Sequence, residues 1–122
     1  VMDSRFEGQP NFASQEAVYE LIGSRIVRCA MDGYNACLFA YGQTGTGKTH
    51  TVLGNTYPSE KRGLLPRILE GLFEELAGRK EASEAKDSSV QISYLEIFNE
   101  QIHDLLVPPP KSGVPREALQ VR

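Results

Sequence analysis

Gly42-Gln43-Thr44-Gly45-Thr46-Gly47-Lys48-Thr49 decides how the rest of this 122-residue chain is read. The run has the spacing Gly-x4-Gly-Lys-Thr of a phosphate-binding loop. A polyphosphate carries several negative charges and needs many donors at close range. Backbone N–H groups supply them if the chain curls tightly, and glycines at 42, 45 and 47 permit that. A helix opening at Lys48 adds its free N–H groups and the positive end of its dipole. Lys48 brings a mobile charge to the β- and γ-phosphates. The Thr49 hydroxyl is placed to ligate a Mg2+ that bridges them.

The flanks supply the context that such a loop requires. Ala36-Cys37-Leu38-Phe39-Ala40-Tyr41 is a six-residue apolar run, too short for a helix and apolar on both faces. It predicts a parallel strand covered on both sides, feeding the loop directly. Upstream, Ser14 is a candidate N-cap, and Val18, Leu21, Ile22, Ile26, Cys29 and Ala30 recur at helical spacing. A helix over about 15–32 follows, ended by Gly33. Downstream, Lys48 to Leu53 opens a second helix, and 54–63 has loop composition. Leu64, Leu65, Ile68, Leu69, Leu72, Phe73 and Leu76 predict a third, with Pro66 in its first turn and Gly78 at its stop.

Residues 77–88 are charged and small, reading as a solvated loop or a frayed helix extension. Residues 90–98 predict a strand. Ile102, Leu105 and Leu106 predict a short helix over about 99–106, ended by Pro108-Pro109-Pro110. Leu119 and Val121 hint at one more strand. The fold class is therefore α/β: a partial phosphate-loop sheet, parallel or mixed, with helices on both faces.

Composition narrows the function. Lys plus Arg is 13 against 16 for Asp plus Glu, a formal charge of −3, with 40% apolar residues. That excludes a basic nucleic-acid tail and a polar disordered tract. The longest apolar run falls far short of the roughly 20 residues of a membrane span, and Val1-Met2-Asp3-Ser4-Arg5 does not open a signal peptide. Cys29 and Cys37 are too few for a disulfide framework and are expected as buried, reduced thiols. Tyr94 and Phe98 are expected in the core, and His103 on an exposed helix face.

A phosphate loop alone hydrolyses nothing. The reaction also needs an acidic residue at a strand end for the metal shell and a group that orients water. Asp32, Glu96, Glu100 and Asp104 do not stand in such a position in the predicted elements, so no residue is assigned a catalytic role.

Further residues carry a family resemblance. Gly33 to Thr51, with Tyr41-Gly42-Gln43-Thr44 at its centre, resembles the kinesin motor domain. So does Ser93-Tyr94-Leu95-Glu96-Ile97-Phe98-Asn99-Glu100, followed by Ile102 and Asp104-Leu105-Leu106. Gly63-Leu64-Leu65-Pro66-Arg67 and Phe12-Ala13-Ser14-Gln15-Glu16-Ala17-Val18-Tyr19 resemble helix starts of the same family. The matches keep the family's order and cover nearly the whole chain.

The resemblance implies an ATPase that moves along microtubules, using ATP and Mg2+, with tubulin rather than nucleic acid as partner, in the cytoplasm on the cytoskeleton. Gly42 to Thr49 would hold the phosphates and metal, and His50 would lie towards the adenine. Residues 54–63 would be a surface loop near the nucleotide, and the region after 106 would approach the tubulin-binding lobe. The family's adenine-side Arg-x-Arg-Pro motif is not in the sequence. Neither is the switch pattern Asn-x-x-Ser-Ser-Arg-Ser-His nor Asp-Leu-Ala-Gly-Ser-Glu. Residues 1–122 are thus expected to be a partial motor domain, inactive alone and marginally stable. The alternatives are a non-catalytic phosphate-loop module that binds nucleotide weakly or only partners, and, without supporting pattern, a small nucleotide kinase.

Overall fold

The computed structural model describes residues 12–81, 89–108 and 118–119. The chain divides into two compact units, Val1–Lys86 and Asp87–Arg122.

The first unit begins with α1 (Gln15–Val18), a π-helical turn (Tyr19–Gly23) and α2 (Ser24–Met31), one continuous helical run. Ser14 caps it, its hydroxyl accepting from the Ala17 N–H at 3.1 Å. The run ends as Gly33 predicts. Gly33 has φ +83°, and the Gly33 and Tyr34 N–H groups return to the carbonyls of Ala30 and Cys29. The π-helical turn was not legible in the apolar spacing. The Ser24 N–H reaches back five residues to the Tyr19 carbonyl. The Tyr19 ring lies back against Gly23, where a Cβ would collide with it, and its hydroxyl approaches Gly71 on the neighbouring helix. The extra residue in the turn rotates the buried face. Leu21 and Ile22, expected in the core, are exposed, whereas Val27 is buried.

After Met31 come α3 (Lys48–Val52), a 3-10 turn (Ser59–Lys61) and α4 (Leu64–Glu81). The helix α4 runs through Gly78 and past the expected stop. An unbroken helix tolerates one glycine at a cost of about 1 kcal/mol. Residues 82–88, the rest of the expected loop or extension, lie outside the described residues. Arg79 of α4 donates to the Met31 carbonyl at 3.2 Å, satisfying one orphan acceptor at the end of α2. Among the described residues the buried apolar side chains are Ala13, Val27 and Leu64.

The expected strand over 36–41 joins no ladder among the described residues. Phe39 is 81% and Tyr41 95% exposed, and Cys37 is exposed rather than buried. A strand is held by its neighbours, and this segment has none here to accept its backbone hydrogen bonds.

The second unit contains β1 (Leu95–Phe98) and β2 (Gln101–Asp104), paired antiparallel with Ile97 opposite Ile102. The helix expected over 99–106 is thus a strand. Asn99 and Glu100 both take positive φ, +48° and +63°, which makes a two-residue hairpin turn of the type whose twist matches its strands. Among the described residues the parallel or mixed sheet with helices on both faces is replaced by this two-stranded antiparallel sheet. Tyr94 and Phe98 are exposed, not core. His103 is half-buried on β2 and its Nδ1 has no hydrogen-bond partner. Leu119 bridges to Ile102 as the expected last strand begins, its N–H donating to the Ile102 carbonyl at 2.7 Å. Pro109, Pro110 and Val121 lie outside the described residues.

Candidate nucleotide site

Gly47 is the N-cap of α3 and takes φ +93°, ψ +11°, the left-handed conformation that glycine adopts without strain. That turn lets the backbone reverse from the loop into the helix. Gly42 lies so close to Thr46 that its Cβ would stand 2.7 Å from the Thr46 hydroxyl. The Thr46 hydroxyl and N–H both donate to the Gln43 carbonyl, at 2.8 and 3.3 Å. These bonds curl residues 42–47 into a closed loop.

The ammonium of Lys48 folds back across that loop. Its Nζ donates to the carbonyls of Gly42 at 2.6 Å and Gln43 at 2.7 Å. The lysine is therefore held at the loop by backbone oxygens, and among the described residues no carboxylate pairs with it. A cleft of about 460 Å³ opens beside it, lined by Thr44, Gly45, Gly47, Lys48, Thr49 and His50. Six of the nine residues expected to bind nucleotide line this cleft, and Gly42, Gln43 and Thr46 hold the loop that forms it. The Thr49 side chain is exposed on the same side.

The far end of α3 is pinned just as firmly. Gly63 N–H donates to the Leu53 carbonyl at 2.9 Å, and Asn55 N–H to the Lys61 carbonyl at 2.8 Å. Gly54 and Arg62 form an isolated antiparallel bridge at the neck of this loop. Arg67 donates from Nε to the Arg62 carbonyl at 3.0 Å and from Nη2 to the Glu60 carbonyl, also at 3.0 Å. Leu64, 2% exposed, seats the start of α4 beside the same neck. The loop 54–63 is thus an ordered clamp between α3 and α4.

His50 is gripped from the N-terminal helix. Gln15 Nε2 donates to the His50 carbonyl at 2.7 Å and lies 3.2 Å from His50 Nδ1. The link joins residues 35 positions apart, and nothing in local sequence pattern announces it.

A larger groove of about 690 Å³ runs between α2 and α4. Arg28 and Arg79 share it with Asp32, Glu74 and Glu75, so its charges are mixed and no ring of backbone donors converges there. Among the described residues no group of three or more His, Cys, Asp or Glu side chains could hold a metal ion by itself. No described helix is long and apolar enough to cross a membrane.

A glycine-rich loop curled in front of a helix, with a lysine as the first helical residue, defines the phosphate-loop class of fold. The particular family follows from comparison with known proteins. The family profile described as kinesin motor domain matches residues 2–122. Human kinesin-like protein KIF14 is 43% identical over 116 residues, covering 95% of this chain and 7% of that protein. A solved structure of a KIF14 segment with ADP in complex with a microtubule superposes with a TM-score of 0.72 at 38% identity, covering 99% of this chain and 32% of that one. The Drosophila kinesin NOD with divalent manganese and ADP gives a TM-score of 0.64 at 30% identity, covering 89% of this chain and 41% of that one. The chain belongs to the kinesin motor-domain family. It spans about 7% of the length of the curated relative and about a third of the KIF14 structure.

Proposed function

We propose that residues 1–122 form the ATP-binding part of a microtubule motor, which couples ATP hydrolysis to movement along microtubules on the cytoskeleton of the cytoplasm. The observation that carries this reading is the Lys48 ammonium, held by two loop carbonyls beside a cleft lined by Thr44, Gly45, Gly47 and Thr49. A cation paired, among the described residues, with neutral oxygens can exchange them for phosphate oxygens, gaining charge-assisted hydrogen bonds. The relatives support the same reading: one was solved with ADP on a microtubule, another with ADP and manganese.

Each residue then has a role. Backbone N–H groups of Gly42 to Thr49 surround the phosphates, and Lys48 places its charge against the β- and γ-phosphates. The donor set fits a metal carried by the nucleotide: the hydroxyl of Thr49, with no acidic cluster beside it among the described residues. Mg2+ keeps waters and phosphate oxygens as most of its ligands, so Thr49 would complete its shell, and the ion would neutralise charge developing on the phosphates. His50 faces the nucleoside end. No residue of this chain is assigned the water-orienting or proton-accepting role. The segment 36–41 takes its place as a strand of the doubly covered sheet when neighbouring strands are present, which accounts for its exposed apolar side chains. Microtubules are the partner of the motor; a nucleic acid is not.

Calorimetric titration of the chain with ADP and Mg2+ tests the proposal. Saturable one-site binding is expected, weakened at least about tenfold in Lys48→Ala, because a hydrogen bond to a charged group contributes about 1.5–3 kcal/mol. Microtubule-stimulated phosphate release by this chain is expected to be nil. Equal ADP affinity in the two proteins refutes the site.

A further inference from the structure

Gln15 is the one polar side chain buried among the described residues, 8% exposed. Its amide nitrogen donates to the His50 carbonyl at 2.7 Å. The same nitrogen stands 3.2 and 3.5 Å from the two ring nitrogens of His50, so it lies over the face of the imidazole and the ring packs against it. The helix α3 (Lys48–Val52) is five residues long, too short to hold its own place. At its end the Leu53 and Gly54 N–H groups both donate to the Thr49 carbonyl, at 2.8 and 3.1 Å. The His50 carbonyl is thereby left without its helical donor, the Gly54 N–H, and Gln15 supplies one from 35 positions away. We infer that Gln15 is a positioning residue of the nucleotide site. It tethers the helix that carries Lys48 and Thr49 to the N-terminal helix, and so fixes where the ammonium and the hydroxyl stand in the cleft. This deepens the nucleotide reading above and rests on it.

The tether acts close to the chemistry and from a fixed point. His50 follows Thr49 directly, stands two residues from Lys48 and lines the same cleft. The neck at Gly54 and Gly63 holds the other end of α3, at Leu53, so Gln15 is the hold nearer to the phosphate loop. On its own side Gln15 opens α1, whose first turn the Ser14 hydroxyl caps, and Ala13 close by is buried as well. A buried carboxamide is costly unless it is bonded. A donor directed at a backbone carbonyl sets a position, where an apolar side chain of the same volume would only fill space.

Gln15→Met tests the inference in the full chain, since it keeps the length of the side chain and removes the donor. Far-UV circular dichroism matching wild type shows that the variant folds. Native-state amide exchange then separates a tether from general stability. The Thr51 and Leu53 amides, which donate within α3 and its cap, should exchange about three- to tenfold faster than in wild type, the loss expected for one hydrogen bond. The Asp32 and Tyr34 amides, which close the end of α2, should exchange as in wild type. Equal acceleration of all four, or of none, overturns the inference. Wild type gives a readout that needs no variant. The carboxamide protons of Gln15 should exchange with water at least about tenfold more slowly than those of exposed Gln91, and equal rates overturn the tether.

A second arm compares ADP with inorganic tripolyphosphate, each with Mg2+, by calorimetric titration. The tether acts on Lys48 and Thr49, which meet the phosphates. Gln15→Met should therefore weaken both ligands by the same factor, about three- to tenfold. Unchanged affinity for both would mean a structural role only, and a loss for ADP alone would place the effect at the nucleoside; either overturns the inference. Lys48→Ala should weaken both ligands. If it weakens neither, the nucleotide reading fails, whereas the exchange rates decide the tether separately.

Discussion

Replacing Gly54 by alanine should unfasten the helix that carries the phosphate loop. Two separate costs arise. Gly54 takes φ +65°, where an L-residue loses about 1–2 kcal/mol. An added Cβ would also press on the Gly63 amide nitrogen, the Lys61 carbonyl oxygen and, at 2.8 Å, the Arg62 carbonyl carbon. All three are backbone atoms of the neck and cannot rotate away as a side chain would, so overpacking adds about 1–3 kcal/mol. The sum is about 2–5 kcal/mol, a large fraction of the ordinary stability of about 5–15 kcal/mol. Gly47→Ala is the control. Its φ is +93° but nothing lies within 4 Å of the new Cβ, so only the conformational cost of about 1–2 kcal/mol applies. Urea unfolding followed at 222 nm should show the Gly54→Ala midpoint about 1 M or more below wild type, with the Gly47→Ala midpoint between them. A Gly54→Ala midpoint equal to or above that of Gly47→Ala would refute the claim that the neck is a close-packed clamp.

Other predictions follow from the packing and the charges. Leu64→Ala should cost about 2–5 kcal/mol, and Leu64→Met less than about 1.5 kcal/mol, by the same urea assay; equal small losses would mean Leu64 is not a core residue. The Tyr19 hydroxyl is held above its ordinary value, chiefly by burial and then by the charges of Glu20 and Glu74, with Arg67 opposing and Glu70 adding a little. Because the folded state favours the neutral phenol, that contribution to stability is complete below about pH 10 and is lost as pH rises through the folded value. Wild type should therefore lose stability above pH 10 more steeply than Tyr19→Phe, and superimposable pH profiles would contradict the assignment. Arg62 pairs with Glu70, but both side chains are substantially exposed. Glu70→Gln should change the thermal midpoint by the equivalent of less than about 1 kcal/mol, and the change should shrink at high salt; a larger, salt-independent loss would contradict a solvated pair.

The features legible in the sequence are those set by local chemistry. Ser14 and Gly33 bound the first helix because capping needs only neighbouring residues. Gly47 and Lys48 mark the loop-to-helix turn because glycine alone takes that backbone conformation easily. The failures share a physical cause. Ile102, Leu105 and Leu106 fit a helix by spacing, yet Asn99 and Glu100 turn the chain and pairing with β1 wins; Asn99 in a left-handed turn was the available signal. The period of 3.6 placed Leu21 and Ile22 inside, but the π-helical turn around Tyr19 shifts the face by one residue. Cys37, Leu38 and Phe39 have the composition of a buried strand, and composition does not supply the strands that would bury them. The Gln15–His50 bond is a long-range contact between two residues that look ordinary where they stand.

The central claim is that residues 42–50 are where this chain holds a nucleotide. Backbone amide shift mapping by NMR during titration with ADP and Mg2+ tests it most directly. The largest changes should fall on Gly42 to His50 and vanish in Lys48→Ala. Changes centred instead on the α2–α4 groove, or unaltered by that substitution, would contradict it.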